Sequence, residues 1–422
     1  MPSGSGMISV ASHTDQSHFT LMSLMPFEGA KAALLASSTP VLQTEEIDLA
    51  AACRRALARD LVSPMTVPPF SNAAMDGYAL RAGDVVANGT KLPVSQRVAA
   101  GAVAKPLQPG STARIFTGAQ IPNGADTVVM QEFCQPEGDS VTINTVPSVG
   151  EHVRLAGSDI KAGQIILPAG SRLSAAALGL AASVGIGSVT VYRRLRVAIF
   201  FTGSELTLPG EPLPPGHIYN SNRYVMRGFL EDIGADIIDL GIISDNREAT
   251  QAALRTAAAH ADVIVTSGGM SEGDEDHVTA SVRAEGHIDV WKIASKPGKP
   301  LAFGSVRSKG REAAFIGLPG NPVSVWCSLL TLVAPFLRRC QGYSMIEMPP
   351  QSLRADFSYT IKGNRMEFVR VRRNAEGGLD LYPTQDSSII SSAVWADGVA
   401  AIPAGTTVYP GDMVAFVPGP RW

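Results

Sequence analysis

Between residues 263 and 276 the chain reads VIVTSGGMSEGDED. An apolar, β-branched run breaks into Ser267, Gly268 and Gly269, then into four carboxylates, Glu272, Asp274, Glu275 and Asp276. That pattern predicts a buried strand delivering a donor-rich, acidic loop. Three other apolar runs end in the same way. RVAIFF at 196–201 leads to Thr202, Gly203, Ser204 and Glu205. DIIDLGII at 236–243 leads to Ser244 and Asp245, and AAFIG at 313–317 leads to Leu318, Pro319, Gly320, Asn321 and Pro322. Glycines let backbone N–H groups approach an anion, and a following helix N-terminus adds a favourable dipole. Ligands of open α/β sheets bind beyond the carboxyl ends of the strands. Four such loops at one edge therefore predict a pocket for a phosphorylated ligand, although any single Ser-Gly-Gly is also an ordinary turn.

Glu205, Asp245 and Asp276 should converge on that edge. Magnesium takes one or two carboxylates and keeps waters and phosphate oxygens, so a divalent metal is expected there. Helix capping is the competing role for Asp245, just ahead of Arg247. The run WKIASKPGKP places Lys292, Lys296 and Lys299 within eight residues, with Pro and Gly constraining the chain. Three ammonium groups beside a phosphate pocket suit a multiply charged oxyanion; a solvated charge run is the alternative. Further upstream, PPFSNAAMDGYA carries Asp76 and Gly77, IFTGAQIPNGAD carries Thr117 and Gly118, and VRLAGSDI carries Arg154 and Asp159. On composition alone these are turn residues.

The elements that must position these groups differ in texture along the chain. From about residue 20 to 64, AKAALLASS and LAAACRRALARDL predict helix from their Ala, Leu and Arg content, closed by Ser63 and Pro64. Short Val- and Thr-rich runs separated by Gly, Pro and Asn-Gly follow to about residue 163 and predict a small all-β module. SRLSAAALGLAASVGIG, at 171–187, predicts a second helix that returns to the first helical stretch. From 194 onward the four strands alternate with helices expected near Asn222 to Gly234, from Arg247 to Ala261, and after Pro322. This alternation predicts a parallel sheet with helices on both faces. The remainder returns to short strands in FVRVRRN, LDLYP and VAFVPG, as in a β-barrel or sandwich.

The expected partition is a disordered leader over 1–20 and a discontinuous helical domain over 21–64 and 164–193. An inserted β domain over 65–163, an α/β domain over 194–345 and a C-terminal β domain over 346–422 complete it. The length, 422 residues, calls for several domains. A formal net charge of -3 argues against a general nucleic-acid binder. Cys53, Cys134, Cys327 and Cys340 are too scattered for a zinc site or a disulfide framework. No signal peptide and no apolar run near the roughly 20 residues of a membrane helix is evident, so a cytoplasmic location is expected.

Taken in order, AAMDGYA, IFTGAQIPNGADTVVMQE, VRLAGSDI, FTGSEL, IYNSNR, SGGMSEGDEDHV, KPGKPLAFG and GLPGNPVS resemble the molybdopterin molybdenumtransferases. These are the molybdenum insertases of the MoeA type, similar to the E domain of gephyrin, and the resemblance runs from about residue 24 to the C-terminus. It implies four parts: a discontinuous helical domain, an inserted β domain, a molybdopterin-binding α/β domain and a C-terminal β-barrel. It also implies a homodimer whose site joins the α/β domain of one subunit to the β domain of the other. The implied reaction inserts molybdate into adenylylated molybdopterin, releasing AMP and forming molybdenum cofactor.

By resemblance, Thr202, Gly268, Gly269, Ser271, Pro319, Gly320, Asn321 and Pro322 hold the pterin nucleotide. Asp245 and Asp276 hold Mg2+, and Lys292, Lys296, Arg370 and Ser391 hold molybdate. Asp76, Thr117, Arg154, Asp159 and Glu205 join Asp245 and Asp276 as catalytic candidates. A molybdopterin adenylyltransferase and downstream cofactor carriers are the implied partners. Met270, Glu272, Asn246 and Ser158 depart from the common pattern while leaving Asp245, Asp276 and Asp159 in place. Two other readings remain open at this stage: a carrier or scaffold for molybdopterin, and a different nucleotide enzyme on a similar α/β domain.

Overall fold

The computed structural model describes residues 24–269 and 277–419. The segment 1–20, expected as a leader, lies outside them, as do Met270, Ser271, Glu272, Asp274, Glu275 and Asp276.

At the centre is a six-stranded sheet. Its order is Asp236–Ile243, Arg196–Thr202, Val263–Ser267, Arg311–Leu318, Pro300–Ser308 and Gly286–Lys292. The first four strands are the expected ones and pair in parallel. Along Arg196–Thr202 alternate residues serve opposite faces. Val197, Ile199 and Phe201 join a cluster with Met226, Phe229 and Leu230, while Ala198 and Phe200 join one with Leu254, Ala257 and Ala258. Helices thus cover both faces, and this is why all five residues of Val263–Ser267 are buried. The last two strands are antiparallel, so the sheet is mixed rather than wholly parallel. Only Lys309 and Gly310 separate Pro300–Ser308 from Arg311–Leu318. Two residues can turn a hairpin, whereas a parallel crossover needs a dozen or more.

The helix Ser221–Asp232 is capped by Asn220, whose side chain accepts from the Arg223 amide, and ends before Gly234 at φ +75. Arg247–His260 is capped by Asn246 accepting from the Ala249 amide at 2.9 Å. Asp245 is therefore not the cap. After Asn321 the chain enters Pro322–Ser328, widens into π turns over Leu329–Val333 and continues as Ala334–Cys340. Contrary to the sequence expectation, this 19-residue run is long and apolar enough to cross a bilayer by length and composition. With 78% of its window buried in the fold, it has the character of a core helix.

The N-terminal expectation needs more correction. Phe27–Ala36 is a helix, but Phe27, Ala30 and Leu34 pack into the core of the α/β domain, where burying Phe27 or Leu34 contributes about 1.5–3 kcal/mol each. LAAACRRALARDL is not a helix. Leu49–Ala51 makes one 3₁₀ turn, and Arg54 at φ 64 interrupts any continuation. Strand pairing overrides local propensity here. Thr44–Asp48 pairs antiparallel with Ser188–Tyr192, and Leu61–Val62 with Ile165–Leu167. Ala52 and Leu57 bury against Leu173, Ala177, Val189 and Val191. The two halves of the discontinuous unit do meet, mainly through strands, with the one helix Ala175–Ser183 between them.

The inserted module is a six-stranded sheet in the order Thr127–Met130, Gly77–Leu80, Thr112–Ile115, Thr90–Val98, Ser140–Ile143 and Cys134–Glu137. The C-terminal unit pairs Met366–Arg373, Gly398–Ile402, Met413–Pro418 and Gln351–Arg354 antiparallel, with Leu379–Leu381 on Met366–Arg373. Ala355, directly after Gln351–Arg354, bridges Leu379, and the Asp356 amide donates to the Leu379 carbonyl at 3.0 Å, so the last strand is linked back through Leu379–Leu381 to Met366–Arg373, as the expected barrel requires. Ser295–Lys296, lent by the α/β segment, also pairs with Met366–Arg373, parallel to Met366–Glu367. The same short strand thereby places Lys296 between the two units.

Candidate functional site

The carboxyl edge of the central sheet is built from the ends of its parallel strands. Thr202 ends one strand and is 4% exposed, with a hydroxyl that has no hydrogen-bond partner among the described residues. Beside it the next strand passes into Gly268 (φ +92) and Gly269 (φ +63). A Cβ on Gly268 would stand 2.7 Å from the Thr202 carbonyl oxygen. One on Gly269 would stand 2.6 Å from Val278 and 3.0 Å from Thr202 Oγ1. Only glycine lets the chain turn this close to Thr202.

A cleft of about 810 Å3 opens over this edge. Gly268 and Gly269 line one side, Pro319, Gly320 and Asn321 another, and Lys296, Pro297, Gly298 and Lys299 a third; Thr384, Gln385, Asp386 and Ser387 of the C-terminal unit close it. Seven predicted residues, Gly268, Gly269, Lys296, Lys299, Pro319, Gly320 and Asn321, thus share one cleft. Asn321 Nδ2 donates to Ser387 Oγ at 3.0 Å and the Val323 amide donates to the Ser387 carbonyl at 3.1 Å, pinning the turn before Pro322 to the C-terminal loop. The Lys296 ammonium lies 3.3 Å from Glu367 Oε2, which also accepts from Tyr359 Oη at 2.6 Å.

Other predicted residues fall elsewhere. Arg370 does not face the cleft: it is 1% exposed. Its guanidinium donates to Ser392 Oγ at 3.2 Å and to the Thr384 and Asp386 carbonyls at 3.3 and 3.0 Å, and its amide donates to Gln385 Oε1 at 2.8 Å. It shapes the cleft wall from behind. Burial pulls its pKa below the usual guanidinium value. Ser391 is exposed at the start of Ser391–Trp395, 3.4 Å from Tyr382 Oη, and Lys292 ends the edge strand; neither lines the cleft. Glu205 is exposed and folds back over Gly203, where an added Cβ would lie 2.6 Å from its Oε2. Asp245 is exposed at the end of its strand. Among the described residues no three His, Cys, Asp or Glu side chains converge as a metal centre. Asp245 remains an oxygen donor of the kind magnesium takes when phosphate oxygens and waters complete its shell.

The β module holds a second group. Asp76 Oδ1 accepts from the Thr117 amide at 2.8 Å and from Thr117 Oγ1 at 2.7 Å. Those two bonds hold the Asp76 carboxyl below its ordinary range. Beside them Arg114 lies over Phe116 and Tyr78, its Cζ 4.6 and 5.2 Å from the ring centroids. Arg154 pairs with Asn72, and the Asp159 amide donates to the Val67 carbonyl at 3.1 Å. None of these lines the cleft.

Sequence reasoning missed Asn222, Arg365, Ser324 and the 384–387 wall. The polar run TQDSS after LYP was the available signal for the wall; for Asn222 the signal was its place in the motif IYNSNR, which by itself reads only as a helix start.

The fold sets the class: a multidomain protein around an α/β domain, matched over residues 198–339 by the family model "Probable molybdopterin binding domain". The MoeA N-terminal region, domains I and II, matches residues 25–185, and the MoeA C-terminal region, domain IV, matches 352–418. A molybdopterin molybdenumtransferase of Haemophilus influenzae is 37% identical over 82% of this chain and 85% of its own. One from a Nostoc species is 42% identical over 71% of this chain and 70% of its own. Among solved structures, a molybdopterin biosynthesis MoeA protein of Pyrococcus horikoshii superposes with a TM-score of 0.80 at 27% identity, covering 93% of this chain and 99% of that one. The chain belongs to the molybdopterin molybdenumtransferase family of the MoeA type.

Proposed function

We propose that this protein inserts molybdate into adenylylated molybdopterin, releasing AMP and forming molybdenum cofactor. The observation that carries this reading is the single cleft shared by the Gly268–Gly269 loop, the Pro319–Asn321 turn and Lys296 in a chain of this family. The Thr202, Gly268, Gly269 and Asn321 loops, with Ser271, hold the pterin nucleotide through backbone donors and hydroxyls. Lys296, with Lys292 nearby, attracts the molybdate dianion, and Lys299 adds positive charge to the same wall. Arg370 acts by ordering the 384–386 wall, and Ser391 lies beyond it. Asp245 and Asp276 hold Mg2+, which neutralises charge on the pyrophosphate when bound.

Asp76, Thr117, Arg154 and Asp159 complete the site from the β module of the partner subunit in a homodimer, and Glu205 orients water or substrate. A molybdopterin adenylyltransferase supplies the substrate, and carriers of the finished cofactor receive the product.

The test is AMP release from adenylylated molybdopterin by purified protein with Mg2+, with and without molybdate. Molybdate-dependent release with molybdenum in the pterin product is expected. Tight binding without molybdate-dependent turnover would replace the enzyme with a carrier.

A further inference from the structure

Asn222 lies in the first turn of the helix Ser221–Asp232 and does not line the cleft. Its amide nitrogen nevertheless reaches two elements that do border it. Nδ2 donates to Ser267 Oγ at 3.0 Å and to the Gly320 carbonyl at 2.7 Å. Ser267 is the last strand residue before Gly268, and Gly320 lies in the turn ahead of Pro322. One NH2 group thus spends both hydrogens holding together two loops that contribute separate walls of the cleft. The Gly320 carbonyl fixes which way the amide faces, because the flipped amide would set two oxygens against each other. That orientation leaves Asn222 Oδ1 buried with no partner among the described residues. Native structures rarely leave a buried acceptor unpaired, and an exception calls for a reason.

We infer that Asn222 is a positioning residue that clamps the Ser267–Gly269 and Leu318–Pro322 loops at the spacing the ligand requires. The assignment deepens the proposed function, on which it rests for the ligand's identity. Asn222 acts through Ser267 and Gly320 and touches no reacting atom. Its loss therefore weakens binding of the ligand that spans both loops, while the chemical step on bound ligand is little changed.

The experiment compares wild type, Asn222→Ala, Asn222→Asp and Ser267→Ala, together with the Asn222→Ala/Ser267→Ala pair. Asn222→Asp keeps the shape but removes both donors and faces a carbonyl with a carboxylate. The readouts are equilibrium affinity for adenylylated molybdopterin, kcat with molybdate, hydrogen exchange along the chain, and Tm. Both Asn222 variants are expected to bind about tenfold more weakly, on the scale of a lost hydrogen bond or two, with kcat within about threefold. Exchange should accelerate only in peptides covering 264–269 and 318–323, with Tm nearly unchanged. The Ser267→Ala change should add little on top of Asn222→Ala, because both remove one shared contact. Unchanged affinity, additive effects, or exchange that is unchanged or faster throughout the chain overturns the clamp. A wild type that binds the nucleotide but does not turn it over defeats the proposed reaction instead, and leaves the clamp to be judged by affinity and exchange.

Discussion

Asp76 and Thr117 stand 41 positions apart, and as isolated turn residues neither would draw notice. In the fold the Thr117 amide and hydroxyl both donate to one Asp76 oxygen, so the carboxylate is oriented and its pKa is depressed. A depressed carboxylate keeps its bonds through the neutral range and loses them only as pH falls through the lowered value. Thr117→Val removes the hydroxyl bond, and Asp76 should then titrate closer to its ordinary 3.8. Carboxyl-carbon NMR of the two proteins checks this, and an identical titration would mean that the hydroxyl is not what holds the charge. Arg370 teaches the opposite lesson. Its type suits an oxyanion, yet the residue is 1% exposed and its Nε and Nη2 donate to Ser392, Thr384 and Asp386, and only the packed structure reveals that.

At the scale of elements, strand pairing decides what glycine and alanine mean. Gly77, half of an Asp-Gly that looks like a turn, opens the strand Gly77–Leu80 instead. A Cβ there would fall 1.9 Å from the Val129 carbonyl oxygen of the neighbouring strand. Gly77→Ala should therefore destabilise the β module by about 1–3 kcal/mol, the usual scale of overpacking. Limited proteolysis or calorimetry would show the module melting early, and a wild-type Tm would refute the steric account. The same logic explains LAAACRRALARDL. Its residues favour helix individually, but Thr44–Asp48 and Leu61–Val62 on either side are held by strands that arrive from residues 165–192. Local propensity is worth tenths of a kcal/mol per residue and yields to such pairing.

For the whole molecule the open question is how the β module serves a cleft that its own residues do not line. The proposed homodimer answers it with a shared site, and mixing two defective proteins tests it. Asp76→Asn and Lys296→Ala should each be inactive alone, whereas an equimolar mixture should regain up to about a quarter of the activity if each site draws on both chains, because random pairing makes about half of the dimers mixed and each of those has one intact site. No recovery in mixtures shown to exchange subunits would place both residues in one subunit's site. The sequence by itself was enough for the four parallel strands, their ligand-facing loops and the family motifs, because buried parallel strands are continuous apolar runs and glycine-rich loops follow them at once. It was also enough to bring Gly268, Lys296 and Asn321 to one edge. The tertiary structure alone decided the antiparallel extension of the sheet, the fate of the first Ala-rich stretch, the burial of Arg370 and the bridging role of Asn222. Each of these depends on which distant segment lies alongside, and pairing across a hundred residues leaves no local period in the chain.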